Sequence, residues 1–297
     1  MQKLIFQGIG THWKVLYFVP EEIDDVSSWK SSLERKILQT VELFDQRYSR
    51  FRKDSLVWQL ALSTKKQHKI SDEFADILSF GFKLKELTKG RFNPAVGFVL
   101  ESLGYDSEYS FQEKTISQKI SLEWKLENLK LHTPNPVLFD IGAWGKGYLI
   151  DMVAAVLESE GVKHYLVDGG GDVRGTSKPD NTPWKVPLVH PLKEQQAFAV
   201  VELKNFALAC TGSTLRAFGN YHHLVDPYSY QSVKDVLGVY TQALTATQAD
   251  GAATALFVDK LENTQDLANK LSVEYLLVTP ALKFGKSTNF TGQIFGN

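Results

Sequence analysis

The chain has 297 residues, 43% of them hydrophobic, and a formal net charge of −1, so it is long enough to bury the core of an ordinary globular protein. The near-zero charge argues against nucleic acid as the main partner, and no stretch approaches the ~18 consecutive apolar residues of a membrane span. The single cysteine, Cys210, excludes an internal disulfide and a metal site built from cysteines.

The N-terminal half is predicted to be rich in helices. Residues 4–19 begin as a strand, break at two glycines and resume as a strand. Apolar residues then recur every three or four positions over residues 23–48, which predicts a long amphipathic helix. A second helix is predicted to start after the capping residue Ser71 and to end before Gly90.

The C-terminal half changes to short β runs separated by turn compositions, and it closes with two predicted helices, at 248–259 and near 262–271, and a last strand at 274–279. The predicted class is therefore α+β, with a largely antiparallel sheet and flanking helices. We expect a single domain over residues 1–297, or two intimately packed lobes. The β runs before the two helices are 163–168, 184–189, 197–203, 206–210, 221–226 and 236–244.

A glycine-rich turn, DIGAWGKGYLID, stands between an apolar, strand-like run at 137–139 and a third predicted helix that ends at Gly161. Its sequence matches neither the P-loop nor the dinucleotide-binding pattern. Backbone N–H groups and the helix dipole at such a turn favour an anion, with Lys146 as a point charge on a phosphate. A tight connection that bears an exposed lysine explains the same residues, so both interpretations stay open.

The segment TATQADGAATALF places Asp250 and Thr254 four residues apart on a predicted helix, so both side-chain oxygens project from one face. A carboxylate and a hydroxyl suit a hard cation such as Mg²⁺, which takes oxygen ligands and leaves positions for phosphates. The alternative is a capping box from Thr247 to Asp250, which would use the carboxylate at the first turn of the helix. By itself the segment favours the capping box.

The stretch YHHLVDP offers a histidine whose ordinary pKa near ~6.5 suits a general base. Neighbours on a strand face opposite ways, so at most one of His222 and His223 faces a site. Alternation places Tyr221, His223 and Val225 on one face of the strand. His222 and Leu224 then lie on the other face. Without further information, a lone histidine is more often structural.

Three consecutive glycines in LVDGGGDVRGT, residues 166–176, separate two β runs. Glycine permits positive φ angles and close approach of another backbone. The plain interpretation is a sharp hairpin, because the glycine spacing does not match a dinucleotide-binding fingerprint.

Together, in this order, these four segments resemble the motifs of the FAD:protein FMN transferases, the ApbE-type flavin transferases. DIGAWGKGYLID is similar to that family's Asp-Leu-Gly-Gly-x-Ala-Lys-Gly-Tyr-x-x-Asp, and LVDGGGDVRG to its Leu-Val-Asp-x-Gly-Gly-Asp-x-x. HHLVDP resembles its His-Ile-Ile-Asp-Pro, and QADGAATALF its Ala-Asp-x-x-x-Thr-x-x-Phe. In the N-terminal half, GIGTHWKV, FDQRYSRFRKDS and KGRFNPAVG resemble its Met-Gly-Thr, Ser-x-Phe/Tyr-x-x-x-Ser and Gly-x-Phe-Asp-Pro-x-Val-Gly. The seven motifs are in register from about residue 8 to the C-terminus.

The resemblance implies that the anion at the glycine-rich turn is the pyrophosphate of FAD, bridged by Mg²⁺. The family's metal ligands match the backbone carbonyl of Ala143 and the side chains of Asp250 and Thr254, and Ala253 lies in the same first turn. The positions that match the family's flavin-nucleotide contacts are Ile9, Phe51, Arg91, Phe92, Asn93, Asp140, Lys146 and His223.

The chain departs from the family pattern at several positions. Ile9 replaces the usual Met, Asn93 replaces the usual Asp, and residues 209–212, ACTG, replace Ala-Thr-Ser-Gly. Gly145 stands where Ala is common, and no Asn follows Leu60. None of these changes falls on the implied metal ligands or histidine, so they concern the flavin pocket rather than the reaction class.

The implied reaction is Mg²⁺-dependent transfer of FMN from FAD to a Ser or Thr hydroxyl of an acceptor protein, with release of AMP. The cation and Lys146 would offset charge on the phosphoryl oxygens and on the leaving group. His223 is the expected base, because the family's histidine stands three residues before the Asp of Asp-Pro. Two alternatives stay open, namely a Mg²⁺-dependent FAD pyrophosphatase and a flavin-binding protein without turnover.

The start of the chain bears on where the protein resides. Residues 1–30 lack the basic start, apolar segment and small-residue cleavage site of a secretory leader. We therefore expect the chain as given to be cytoplasmic. A periplasmic or membrane-anchored form trimmed of its leader would have the same sequence, so that alternative stays open.

Overall fold

The computed structural model describes residues 1–108, 110, 120–213, 217–218, 221–222 and 224–295. Over these ranges the predicted α+β class is confirmed, with helices concentrated in the N-terminal half and strands in the C-terminal half. Each strand pairing in the described residues is antiparallel, also as predicted. The single-domain organisation stays a prediction.

The helices end close to the predicted limits. The first helix begins after Asp25, whose Oδ1 accepts a hydrogen bond from Ser28 N at 3.0 Å. Ser71 caps the third in the same way through Phe74 N, and Gly90 follows that helix with a φ of +85°. In chain order the helices are α1 (Val26–Tyr48), α2 (Leu56–Leu62), α3 (Asp72–Leu87), α4 (Gly97–Ser102), α5 (Gly145–Ser159), α6 (Ala246–Val258) and α7 (Thr264–Leu271).

In the part of the chain that the structure describes, the strands form one large sheet and three small ones. In chain order they are β1 (Gln2–Gly8), β2 (Thr11–Tyr17), β3 (Gln67–Lys69), β4 (Lys125–Glu127), β5 (Lys130–His132), β6 (Tyr165–Gly169), β7 (Asp172–Gly175), β8 (Trp184–His190), β9 (Lys193–Leu203), β10 (Phe206–Gly212), β11 (Ala217–Phe218), β12 (Tyr221–His222), β13 (Gly238–Ala243), β14 (Glu274–Val278), β15 (Phe284–Lys286) and β16 (Gln293–Ile294). The large sheet has the order β1-β2-β6-β7-β10-β13-β14-β15.

Side-chain alternation gives the large sheet two covered faces. Val15, Val167 and Val239 lie in one buried cluster with residues of α1, α5 and α6. Leu208 and Leu276 point to the other face and pack with β8 and β9. Because helices cover one face and a second sheet covers the other, the central strands are apolar on both sides.

Several short elements differ from the prediction, among them the unpredicted strands β3, β4, β5, β15 and β16. The short helices α2 and α4 were not predicted, because a segment of six or seven residues shows too little periodicity. The run at 137–139 is buried but belongs to no strand. Within the run, Leu138 O accepts a hydrogen bond from Gly97 N at 3.0 Å, and the next residue after the run, Asp140, donates from its N to Pro94 O at 2.8 Å. No helix of the described chain combines the length and the hydropathy that crossing a bilayer requires.

Candidate functional site

One cavity is walled by residues that are far apart in the chain. The large sheet contributes Thr11 and Thr211, the β6–β7 turn contributes Gly170, and α6 contributes Asp250 and Thr254. The implied site residues that line this cavity are Phe51, Arg91, Phe92, Asn93, Asp140, Ala143, Lys146, Asp250 and Thr254.

The face of α6 that carries Asp250 and Thr254 borders the cavity, and both side chains are buried. The capping-box interpretation is wrong, because Thr245 is the N-cap and its hydroxyl accepts from Gln248 N at 3.2 Å. Asp250 lies beyond the first turn of α6, and its Oδ2 accepts from Gly147 N of the neighbouring helix at 2.9 Å. Its carboxylate therefore makes a tertiary contact and does not cap its own helix.

Three residues with possible oxygen ligands for a cation, Ala143, Asp250 and Thr254, border the same cavity. Thr254 Oγ1 is 3.3 Å from the carbonyl oxygen of Ala143 and 3.1 Å from the hydroxyl of Thr211. The Asp250 carboxylate stands one helical turn before Thr254 on the same face. A carboxylate, a hydroxyl and a backbone carbonyl are all hard oxygen ligands, so the set suits Mg²⁺.

Two backbone N–H groups in the glycine-rich segment donate hydrogen bonds to carboxylates. Gly142 N donates to Asp140 Oδ1 at 2.7 Å, and Gly147 N donates to Asp250. Gly147 has to be a glycine, because an added Cβ would stand 2.2 Å from Ala246 O. The close approach of α5 and α6 at this point brings the glycine-rich turn and the α6 oxygens to one place.

Lys146 is neither an exposed lysine nor a free point charge. Its ammonium forms an ion pair with Asp172, which is 1% exposed, and lies 3.9 Å from Asp250 Oδ1. Asp172 Oδ1 also accepts from Cys210 N at 2.8 Å. Asp172 ends the triple-glycine turn, where Gly170 and Gly171 have φ angles of 70° and 96° and form the predicted hairpin.

Asp151, the last residue of DIGAWGKGYLID, fixes the start of α6. Its carboxylate accepts from Ala246 N at 2.9 Å, from Thr247 N at 2.8 Å and from Thr247 Oγ1 at 2.6 Å. Arg174 Nη1 completes the arrangement at 2.8 Å from Asp151 Oδ1. These bonds satisfy amides at the helix N-terminus, which have no partner within the helix.

We expect Asp151→Ala to lower the free energy of unfolding by about 2–3 kcal/mol, because it removes a helix cap and several hydrogen bonds to a charged acceptor. Urea denaturation monitored by circular dichroism measures the effect. The matched control is Asp266→Ala in the first turn of α7, where the exposed pair with Lys270 contributes about 0.5 kcal/mol or less. Equal effects of the two substitutions would contradict the capping role.

A further part of the cavity wall carries aromatic and polar groups. Phe92 packs on Trp144 with ring centroids 5.6 Å apart, and Arg91 Nη1 lies 3.4 Å from Asp226 Oδ2. Asn93, which replaces the family's Asp, accepts from Ala95 N at 3.0 Å and from Trp124 Nε1 at 3.2 Å. Its side-chain oxygen therefore caps a short 3₁₀ turn, and the residue is also part of the cavity lining.

Phe51 lies on this wall beside Tyr105, with ring centroids 5.4 Å apart in an edge-to-face arrangement. The guanidinium carbon of Arg50 stands 4.4 Å from the centroid of the Phe51 ring. Phe51 is half-buried and borders the cavity, so its ring is accessible to a planar ligand.

The histidine pair is only partly described, because His223 lies outside the described residues. His222 is buried, and its Nε2 is 2.8 Å from Val233 O while its Nδ1 accepts from Leu224 N at 3.2 Å. Burial lowers the pKa of His222 below its ordinary value. Strand β12 ends at His222. Leu224 and Val225 both line the cavity, although the predicted alternation assigns them to opposite faces.

The structure places two implied contacts away from the described cavity wall. Ile9 forms the β1–β2 turn with Gly10, and both have positive φ angles, 44° and 71°. Such a turn joins two strands tightly, and it is Thr11 that reaches the cavity. Ala253 is fully buried in the core and lies well beyond the first turn of α6, which corrects the expected position.

Four polar residues that the sequence reading did not single out shape the site, namely Arg50, Asp151, Asp172 and Thr211. Each stands in a segment that had already been recognised from its motif. Their positions could therefore have been found, but their partners lie far away in the sequence and are set by packing. Cys210 also lines the cavity, and burial raises the pKa of its thiol to about 12, so the thiol stays protonated at neutral pH.

Several known proteins resemble this chain over most of its length. The FAD:protein FMN transferase of Vibrio cholerae is 24% identical over 91% of this chain and 85% of its own length. That of Haemophilus influenzae is 26% identical over 91% of this chain and 84% of its own length. The crystal structure of the ApbE protein from Thermotoga maritima superimposes with a TM-score of 0.86 at 22% identity, covering 97% of each chain, which shows a shared fold. Because the model of the ApbE family matches residues 9–277, the chain belongs to the ApbE family.

Proposed function

We propose that this protein transfers FMN from FAD to a Ser or Thr hydroxyl of an acceptor protein, with Mg²⁺, and releases AMP. The observation that carries the proposal is the convergence of Ala143 O, Asp250 and Thr254 with Lys146 at one cavity. Relatives that cover most of this chain are FAD:protein FMN transferases, which supports the same reaction.

The backbone carbonyl of Ala143 and the side chains of Asp250 and Thr254 would hold the cation. Their three oxygens fit it chemically, and Thr211 keeps the Thr254 hydroxyl at the same place. When bound, Mg²⁺ supplies positive charge that stabilises the phosphoryl oxygens of the substrate. We assign no such role to the side chain of Ala253, because a methyl group has no donor atom.

Transfer requires that the acceptor hydroxyl oxygen form a bond to the FMN-side phosphorus of FAD while the bond from that phosphorus to the AMP oxygen breaks. The hydroxyl proton passes to a base, for which His223 is the proposed group. Lys146 lies at the cavity wall between two carboxylates, where its charge can offset that of the pyrophosphate. Phe51 and Phe92 supply apolar surface for the planar rings.

Incubation of the protein with FAD and Mg²⁺, with and without a display library of Ser- and Thr-containing segments, tests the proposal. The matched control is the same library with alanine in place of Ser and Thr. We expect AMP and covalently bound FMN to appear in equal amounts, and only with the hydroxyl-bearing library. Gel fluorescence measures bound flavin, and chromatography measures AMP.

The other two outcomes would replace the proposal. Rapid release of AMP and free FMN without acceptor would identify an FAD pyrophosphatase. Tight binding of FAD without AMP under either condition would identify a flavin-binding protein. Absence of nucleic-acid binding and a cytoplasmic location remain predictions.

A further inference from the structure

Arg50 is a buried arginine directly behind the cavity wall. It follows the C-cap of α1, and its side chain is only 2% exposed. Its own atoms do not border the cavity, whereas Phe51, Tyr105 and Asp140, which it contacts, all do. Any influence of Arg50 on a ligand therefore passes through these neighbours.

The guanidinium joins three separate parts of the chain. Its Nε donates to Asp140 Oδ2 at 2.9 Å. Its Nη1 donates to Glu101 Oε1 on α4 at 2.8 Å and to the carbonyl of Tyr105 at 2.9 Å. A planar guanidinium presents these donors at fixed angles, which a lysine ammonium cannot reproduce.

Asp140 connects Arg50 to the glycine-rich turn, because its two oxygens bond to both. Its second oxygen, Oδ1, accepts from Gly142 N at 2.7 Å. Gly142 immediately precedes Ala143, whose carbonyl lies 3.3 Å from the Thr254 hydroxyl. The chain of contacts therefore runs from Arg50 to the carbonyl that we assign to Mg²⁺.

The same guanidinium also contacts the aromatic wall. Its carbon lies 4.4 Å from the Phe51 ring centroid and 5.2 Å from that of Tyr105. Among the described residues its Nη2 has no hydrogen-bond partner although it is buried. A buried ion pair is on average a poor source of stability, so stability alone does not explain why an arginine stands here.

We propose that Arg50 is a positioning residue that couples the cation site to the flavin-binding wall. It fixes the turn of Gly142 and Ala143 through Asp140, and it holds the rings of Phe51 and Tyr105 from behind. This inference rests on the proposed function, because it assigns FAD to the cavity. Through Arg50, bound Mg²⁺ raises the affinity for FAD, and bound FAD raises the affinity for Mg²⁺.

The test is Arg50→Lys, which keeps the charge and loses the fixed geometry of the guanidinium. FAD affinity is measured by flavin fluorescence with and without Mg²⁺ and without acceptor, so that turnover is not required. We expect the gain in FAD affinity that Mg²⁺ confers on the parent to fall by about tenfold or more, as is typical when a group that orients a metal ligand is lost. The melting temperature is recorded for every variant.

Two further variants separate positioning from a general loss of structure. We call the gain in FAD affinity on adding Mg²⁺ the Mg²⁺ coupling. The double variant Arg50→Lys/Asp140→Asn should lose no more of it than the more affected of the two single variants, because both changes break the same Arg50–Asp140 connection. Arg52→Lys is the matched control, since Arg52 pairs with Asp45 and Asp54 at the surface and should leave the coupling unchanged.

A lower melting temperature with unchanged Mg²⁺ coupling would overturn the inference, and so would additive losses in the double variant. If Arg50→Lys does not fold, Glu101→Gln replaces it, because Glu101 anchors Arg50 from outside the cavity lining. Unchanged coupling in Glu101→Gln would then overturn the inference. A parent protein that binds no FAD would refute the proposed function itself, which is a different result.

Discussion

We expect Asp250→Asn to reduce FMN transfer by at least about 10²–10³-fold, because the variant loses the charged oxygen ligand of the proposed cation site. Asparagine is a more specific substitution than alanine, since its amide oxygen can still accept the hydrogen bond from Gly147 N. The packing of α5 on α6 is then retained. FAD affinity should become insensitive to Mg²⁺ in this variant, whereas the parent binds FAD more tightly with Mg²⁺.

Single-turnover assays across a range of Mg²⁺ concentrations measure the effect, together with the melting temperature of each variant. The matched control is Thr245→Ala, which removes the N-cap of the same helix without touching the cavity. That variant should lose about 1 kcal/mol of stability and keep the transfer activity of the folded protein. An Asp250→Asn protein that melts earlier but transfers FMN normally would show that the carboxylate only supports the helix.

The second large effect is expected at His223. We expect His223→Ala to lose about 10²–10⁴-fold in transfer rate, which is the usual contribution of a general base, while FAD binding stays within a few-fold. The rate of FMN transfer measured against pH decides the matter, because removal of the base also removes its titration from the profile. A histidine that only contacts phosphate would instead weaken FAD binding and leave the pH profile of the parent.

The neighbouring His222 provides the comparison. His222→Gln should transfer FMN at a rate within a few-fold of the parent's. It should lose about 1–3 kcal/mol of stability, because the hydrogen bonds of the buried imidazole with Val233 O and Leu224 N are disrupted. Burial lowers the pKa of His222, so the unfolded chain takes up the proton more readily than the folded one. Its contribution to stability is therefore present above the ordinary pKa of about 6.5 and declines as the pH falls below that value.

Chemical denaturation at several pH values measures this effect independently of activity. The parent should lose stability relative to His222→Gln as the pH falls from neutral. If His222→Gln loses most of its transfer rate while His223→Ala remains active, His222 and not His223 would be the general base.

Local sequence patterns were sufficient for much of the fold. The helical periodicity and the capping residue Ser71 predicted α1 and α3 closely, and the glycines of residues 169–171 predicted the β6–β7 hairpin. These signals act between residues a few positions apart, so the sequence alone is enough to predict these elements. The order of the seven motifs also indicated the family, which the family match over residues 9–277 confirms.

The assignment of each carboxylate was decided only by the tertiary structure. The sequence allows Asp250 to be a helix cap or a cation ligand, because both roles require a short oxygen-bearing side chain near a helix start. Packing resolves part of this choice, since Thr245 caps α6 and the carboxylate of Asp250 meets Gly147 N instead. The pairing of Lys146 with Asp172 was equally invisible in the sequence, because it depends on how α5 packs against β7 rather than on any local spacing.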